Sequence, residues 1–105
     1  MVRRIYGIYD KKALVYLNGV LMTFGTDSEA TRVFAQVIAA GKSPLSEYPE
    51  DFELHYLGDI DLDEVRIDPA LGVRENPVTT GFATVRELKR LDAARRTEEG
   101  PHSAR

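Results

Sequence analysis

Between Glu47 and Glu64 the chain carries eight carboxylates and no lysine or arginine. Closely spaced carboxylates can hold a divalent cation or share acid–base work. Asp59, Asp61 and Asp63 alternate like the opening of a calcium loop. The template then fails. Its sixth position needs glycine and finds Glu64; its twelfth needs a bidentate glutamate and finds Ala70. The expectation is a solvated acidic turn with no metal and no cofactor.

His55 lies among these carboxylates, beside Glu53 and within reach of Asp59 on a strand. A His–carboxylate pair could move a proton. A nucleophile and an oxyanion-stabilising group would also be needed. The chain has no G-x-S-x-G, no phosphate-binding P-loop and no H-E-x-x-H. The other histidine, His102, is far along the chain. His55 therefore reads as an exposed strand histidine, and the protein as a non-enzyme with no catalytic residues.

Aromatic and basic residues suggest other chemistry. Tyr6 and Tyr56 could stand on sheet faces, where bases stack in single-strand binders. Arg3, Arg4, Lys11 and Lys12 flank the first strand and could meet phosphates. The competing role for the tyrosines is to fill the core and its rim with the hydroxyl kept wet. Farther on, Arg86, Lys89 and Arg90 sit on a basic amphipathic helix. These residues, Arg3, Arg4, Tyr6, Lys11, Lys12, Arg86, Lys89 and Arg90, are the candidate nucleic-acid contacts.

The totals bound the setting. A chain of 105 residues allows one small domain, and a homo-oligomer would add to its thin margin of burial. There is no cysteine, which suits a reducing compartment. No apolar run approaches the roughly 20 residues of a membrane span, and Asp10, Lys11 and Lys12 break the run that follows the N-terminal arginines, so no signal peptide is expected. Net charge is −3, unevenly spread: residues 1–78 carry −5 and residues 79–105 carry +2. Attraction to phosphate would lie toward the C-terminus.

The elements that position these residues follow from periodicity. Residues 3–9 alternate β-branched and aromatic residues on both faces, as a central strand does. Asn18-Gly19 suits a tight turn, with 13–17 and 20–24 as arms of a hairpin. Thr26 with Glu29 forms a capping box. Ala30, Val33, Phe34, Val37 and Ile38 then trace one apolar stripe, and Gly41 and Pro44 end a helix over 27–40. Residues 41–51 read as a loop. Residues 52–60 read as a strand with Phe52, Leu54, Tyr56 and Ile60 on one face and Glu53, His55 and Asp59 on the other. Val65 to Ile67 returns as a short strand, and 68–80 is loop. A helix over 81–96 is expected from Phe82, Val85, Leu88 and Leu91, with a second capping box at Thr84 and Glu87. Residues 97–105 read as a disordered tail. The fold class is α+β: a small, mainly antiparallel sheet over residues 1–80, with helix 27–40 packed on it and a peripheral C-terminal helix.

Three pieces of the chain resemble the small nonstructural protein of gokushovirus-type microviruses, phages with single-stranded circular DNA. Ile5-Tyr6-Gly7-Ile8-Tyr9-Asp10-Lys11-Lys12-Ala13 is similar to that family's aromatic first strand ending in Asp-x-Lys-Ala. Ala30-Thr31-Arg32-Val33-Phe34 looks like its A-x-R-x-F helix. Tyr48 to Asp61 is close to its P-E-D-[FY]-x-L-x-x-L-G-x-[FI]-D phrase. The chain departs from the pattern at Ala40-Gly41, where members often have Asn-Asp, and at Gly19-Val20, where they often have Pro-Phe. The stretch after residue 80 matches poorly. The resemblance implies a nonstructural role in the cytoplasm of a host bacterium, with single-stranded DNA or phage replication and assembly proteins as partners. DNA binding, or help in single-strand genome synthesis and packaging, is the implied function. The alternative is a protein-interaction adaptor in replication or assembly that does not touch DNA.

Overall fold

The computed structural model describes the backbone of residues 1–17 and 22–103, with side chains through Arg95 except Met22. Its centre is β1 (Val2–Asp10), paired along its whole length with β4 (Phe52–Asp61). The other edge of β1 carries β2 (Val15–Tyr16) and β3 (Met22–Phe24), both antiparallel to it. The free edge of β4 carries β5 (Arg66–Pro69) near one end and β6 (Thr79–Thr80) near the other. The sheet is antiparallel throughout, and β1 is central as its two apolar faces require.

The expected hairpin of 13–17 against 20–24 is corrected. Both arms pair with β1, Tyr16 opposite Tyr9 and Phe24 opposite Arg4. The turn that reverses the chain is Lys11–Leu14, where the Asp10 carboxylate accepts the N–H groups of Lys12 and Ala13. The Asn18-Gly19 turn lies outside the described residues.

The first helix, α1 (Asp27–Ala39), forms as its signals direct. Thr26 Oγ1 accepts from Glu29 N–H at 3.2 Å, and Gly41 adopts φ +73 just past the end. Ala30, Phe34 and Ile38 bury against Tyr6, Ile8, Phe52 and Leu54 of the sheet. The stretch read as loop holds α2 (Pro44–Glu47) and a 3-10 turn at Pro49–Asp51, and Leu45 of α2 joins the same core.

Strand β4 changes face midway. Tyr6 pairs with Tyr56 but Ile5 pairs with Gly58, so Leu57 is an extra residue, a β-bulge. Beyond it the alternation flips. Asp59 lands on the helix-covered face, where Tyr56 donates to it at 2.6 Å. Ile60, expected beside Tyr56, turns instead to the opposite face. Asp68 and Pro69, read as the start of a loop, are instead the last residues of the return strand.

The last helix, α3, spans Gly81–Ser103 and runs on past the expected stop at residue 96. Its cap is Thr80 rather than Thr84: Thr80 Oγ1 accepts from Ala83 N–H at 3.0 Å. Thr84 is buried and donates back to the Thr80 carbonyl. Val85 and Leu88 rest on the core, and from Lys89 to Arg95 every side chain is exposed.

Candidate functional site

The first candidate is the face of the sheet away from the helices. There His55 is 0% exposed, which corrects the expectation of an exposed histidine. Its Nε2 lies 3.0 Å from Glu53 Oε1 and its Nδ1 2.8 Å from the Tyr16 hydroxyl. An ionised Glu53 can only accept, so Nε2 carries the proton and Nδ1 accepts from Tyr16. The Tyr9 ring stacks on the imidazole with centroids 5.1 Å apart, and the Arg74 guanidinium lies 5.2 Å from the Tyr9 ring centre. Burial pushes the Tyr16 hydroxyl above its ordinary pKa, against the opposing pull of Arg74. Both imidazole nitrogens are engaged, so the cluster holds the sheet face together and offers no free base.

The second candidate lies on the helix-covered face. Arg4 Nε donates to the Tyr6 hydroxyl at 2.9 Å, and Tyr6 donates to Asp27. The Arg4 guanidinium lies 4.0 Å over the Tyr56 ring and 3.2 Å from Asp27. Tyr6 is 0% exposed, so it cannot offer a ring to a base, and Arg4 is already committed. An open cleft of about 640 Å³ lies between α1, Tyr56 and residues 76–78, with Arg32 and Asp27 both in its lining.

The carboxylates do not gather. Asp59 is bound to Tyr56, while Asp61 accepts the N–H groups of Asp63 and Glu64, which hold its carboxyl below the usual range. Among the described residues no three histidine, cysteine or acidic side chains converge as a metal site would need.

The remaining candidate contacts divide sharply. Arg3 donates to the Thr23 carbonyl at 3.1 Å. Lys11 Nζ lies 3.9 Å from Glu53, and Lys12 is exposed in the turn. Arg90 is held by Glu87, with Nε 3.0 Å from Oε2. Among the described residues Arg86 and Lys89 close no ion pair. They line a groove of about 290 Å³ with Pro49, Glu50, Phe82 and Val85.

Phe82 is the residue of this groove that sequence reading misplaced. Counted as part of a packing stripe, it is 61% exposed. The reason is geometric: a spacing of three residues slips about 60° per step, so Phe82 and Leu91 end on opposite sides of the helix. Arg86 and Lys89, at i+4 and i+7, fall on the side of Phe82. Two structural features hold the stripe in place. The Gly81 backbone presses so closely on the 3-10 turn that a Cβ there would sit 1.7 Å from the Pro49 carbonyl oxygen. Lys11 N–H bonds the Asp51 carbonyl at 2.8 Å, tying the basic β1–β2 turn to that same 3-10 turn. The groove thus presents one exposed ring, two cations and one carboxylate, with Lys12 on the adjoining turn.

No helix among the described residues is long and apolar enough to cross a membrane. No solved structure matches the chain. The protein ORF5 of Chlamydia phage 1 is 34% identical over 98 residues, covering 90% of this chain and 94% of that protein. A family model described as Phage ORF5 protein matches residues 3–75, from β1 to the loop before β6. Both findings agree with the microvirus-type resemblance read from the three sequence pieces. The chain belongs to the Phage ORF5 protein family.

Proposed function

We propose that this phage protein is a non-enzymatic nonstructural factor that binds single-stranded DNA in the host cell, in genome synthesis or packaging. The observation that carries the reading is the α3 stripe: Phe82 exposed, with Arg86 and Lys89 aligned beside it and free of ion pairs among the described residues. A base can stack on the ring while its flanking phosphates meet the two cations, which is how sequence-tolerant single-strand sites are built. Tyr6 and Arg4 drop out as contacts because the fold uses them internally. Arg90 contributes less because Glu87 neutralises it.

Fluorescence anisotropy with labelled single-stranded DNA across a salt series tests this. Phe82→Ala should weaken binding by roughly 5–150-fold, the range of one lost stacking contact. Arg86→Ala and Lys89→Ala should each lower the slope of log K against log salt by about 0.7. Glu50→Gln should tighten binding by removing the carboxylate from the groove. Absence of binding at low salt overturns the reading, since phosphate contacts are strongest there.

The adaptor reading draws on a different observation, the exposed apolar side chains Val65, Ile67 and Leu71 around β5. A pull-down in which host or phage proteins bind equally well to wild type and Phe82→Ala, with no DNA binding by either, would favour it.

A further inference from the structure

Strand β5 closes one edge of the sheet with all four side chains exposed. The ladder determines which of its backbone groups are used. Ala70 N–H bonds the Leu57 carbonyl at 2.9 Å, and the register sets Asp59 opposite Asp68 and Asp61 opposite Arg66. Hydrogen-bonded and non-hydrogen-bonded pairs alternate in an antiparallel ladder. The Ala70 bond makes Asp59–Asp68 and Asp61–Arg66 the hydrogen-bonded pairs. Ile67 between them turns its N–H and C=O away from β4. Pro69, the next residue on that outward side, has no N–H to offer.

Apolar side chains stand exposed along this edge and at its ends. Val65 is 87% exposed, Ile67 62% and Leu71 96%. Arg66 lies between two acids, with Nη1 2.8 Å from Glu64 and Nε 3.2 Å from Asp68. Read in reverse, Arg66-Ile67-Asp68 is its own electrostatic complement.

We propose that β5 is a self-association edge, at which a second copy of this chain pairs antiparallel about a two-fold axis through Ile67. Each Ile67 exchanges both outward backbone hydrogen bonds with its mate. Arg66 of each copy faces Asp68 of the other, so two opposite-charge cross-strand pairs form. The register is selected by charge. Sliding one copy by two residues sets Asp68 against Asp68 in one direction and Arg66 against Arg66 in the other. Pro69 also ends the outward ladder, so the edge accepts one mate in one register and does not propagate. The axis stands perpendicular to the sheet, which leaves the helices of both copies on the same face. Two α3 stripes on one face would raise avidity for a long strand.

The contact is small beside a standard interface, so dissociation is expected on the order of 10⁻⁴ M. Sedimentation equilibrium from about 10 µM to about 1 mM spans that range. The wild type should pass from monomer to dimer. Arg66→Asp should weaken association about tenfold, because two attractive pairs become repulsive. The exchange Arg66→Asp with Asp68→Arg should restore it, since the reversed charges are again complementary. Ile67→Pro removes the outward N–H without touching the β4 side of the ladder and should abolish dimerisation. Circular dichroism melts check that each variant is folded, and the double exchange decides the matter even if the proline variant is not. A monomer throughout the range, or a double exchange no tighter than Arg66→Asp alone, overturns the proposal. Single-strand binding by Arg66→Asp should persist at the monomer level, so the two readings fail separately.

Discussion

On an isolated strand, His55 beside Glu53 looks like an acid–base pair awaiting a substrate. In the fold the same side chain is spent: Glu53 takes one nitrogen, Tyr16 the other, and Tyr9 covers the ring. His55→Ala should therefore act on stability. It leaves a cavity under Tyr9 and strands the Tyr16 hydroxyl and the Glu53 carboxylate, a loss of roughly 2–4 kcal/mol. Urea denaturation measures it, and a change within about 0.5 kcal/mol would mean the cluster holds nothing together. Single-strand binding by the folded variant should be unchanged. The burial of His55 was not legible in the sequence. Its neighbours within the strand are Leu54 and Tyr56, but what covers it comes from Tyr9 and Tyr16, brought in by pairing across the sheet.

Among the elements, α1 and α3 mark the two ends of what local signals can say. For α1 the cap, the stripe and the terminating Gly41 all agreed, and all are local. For α3 the apolar spacing of three gave the right element but the wrong face. The close approach of Gly81 to Pro49 could not be read at all, because it joins segments thirty residues apart. The sheet shows the same division. β1 and β4 were recognisable from their own alternation, whereas the bulge at Leu57 is defined by what Ile5 and Tyr6 face. β3 looked like half a hairpin because Asn18-Gly19 is a strong local signal, yet its partner is β1.

Gly81→Ala separates local from tertiary control. Helix propensity alone predicts stabilisation by about 1 kcal/mol. The contact with Pro49 predicts the opposite, since the new methyl must push α3 off the 3-10 turn. The expected result is a lower melting temperature together with weaker single-strand binding, as the groove around Phe82 opens. A stabilised variant with unaltered binding would show that α3 is not anchored there.

At the scale of the molecule, the helices and one sheet face form a single core, and tyrosines on both faces of the sheet have raised pKa values. Burial and the hydrogen bond to Asp27 push the Tyr6 phenol from an ordinary 10.0 up to about 12, with Arg4 opposing. The Tyr56 phenol is raised by its bond to Asp59 and then by burial; Tyr16 is raised by burial. The sign follows from proton counting. Between about 10 and about 12 the unfolded chain has released the Tyr6 proton and the folded chain still holds it, so stability falls as pH rises and then levels off. Below the unfolded pKa the contribution is constant. Tyr6 accounts for at most about 2–3 kcal/mol of that fall. Urea midpoints at a neutral and an alkaline pH measure it. Tyr6→Phe should flatten the alkaline slope, and an unchanged slope would assign the fall to other groups.

The pairing of β1 with β4 also sets a clock. Ile8 lies opposite Leu54 and Val2 opposite Asp61, so the most extensive ladder in the sheet joins segments some fifty residues apart in sequence. On a ribosome adding about 5–20 residues per second, β1 would wait roughly 3–10 s for its main partner to be made. Over that interval its apolar residues Ile5, Ile8 and Tyr9 have only β2 and β3 to pair with, and two short strands give little cover. Loop closure of this length also slows folding compared with helical proteins of the same size. The protein's vulnerable period is therefore early, and it ends when Pro49 to Asp61 emerges.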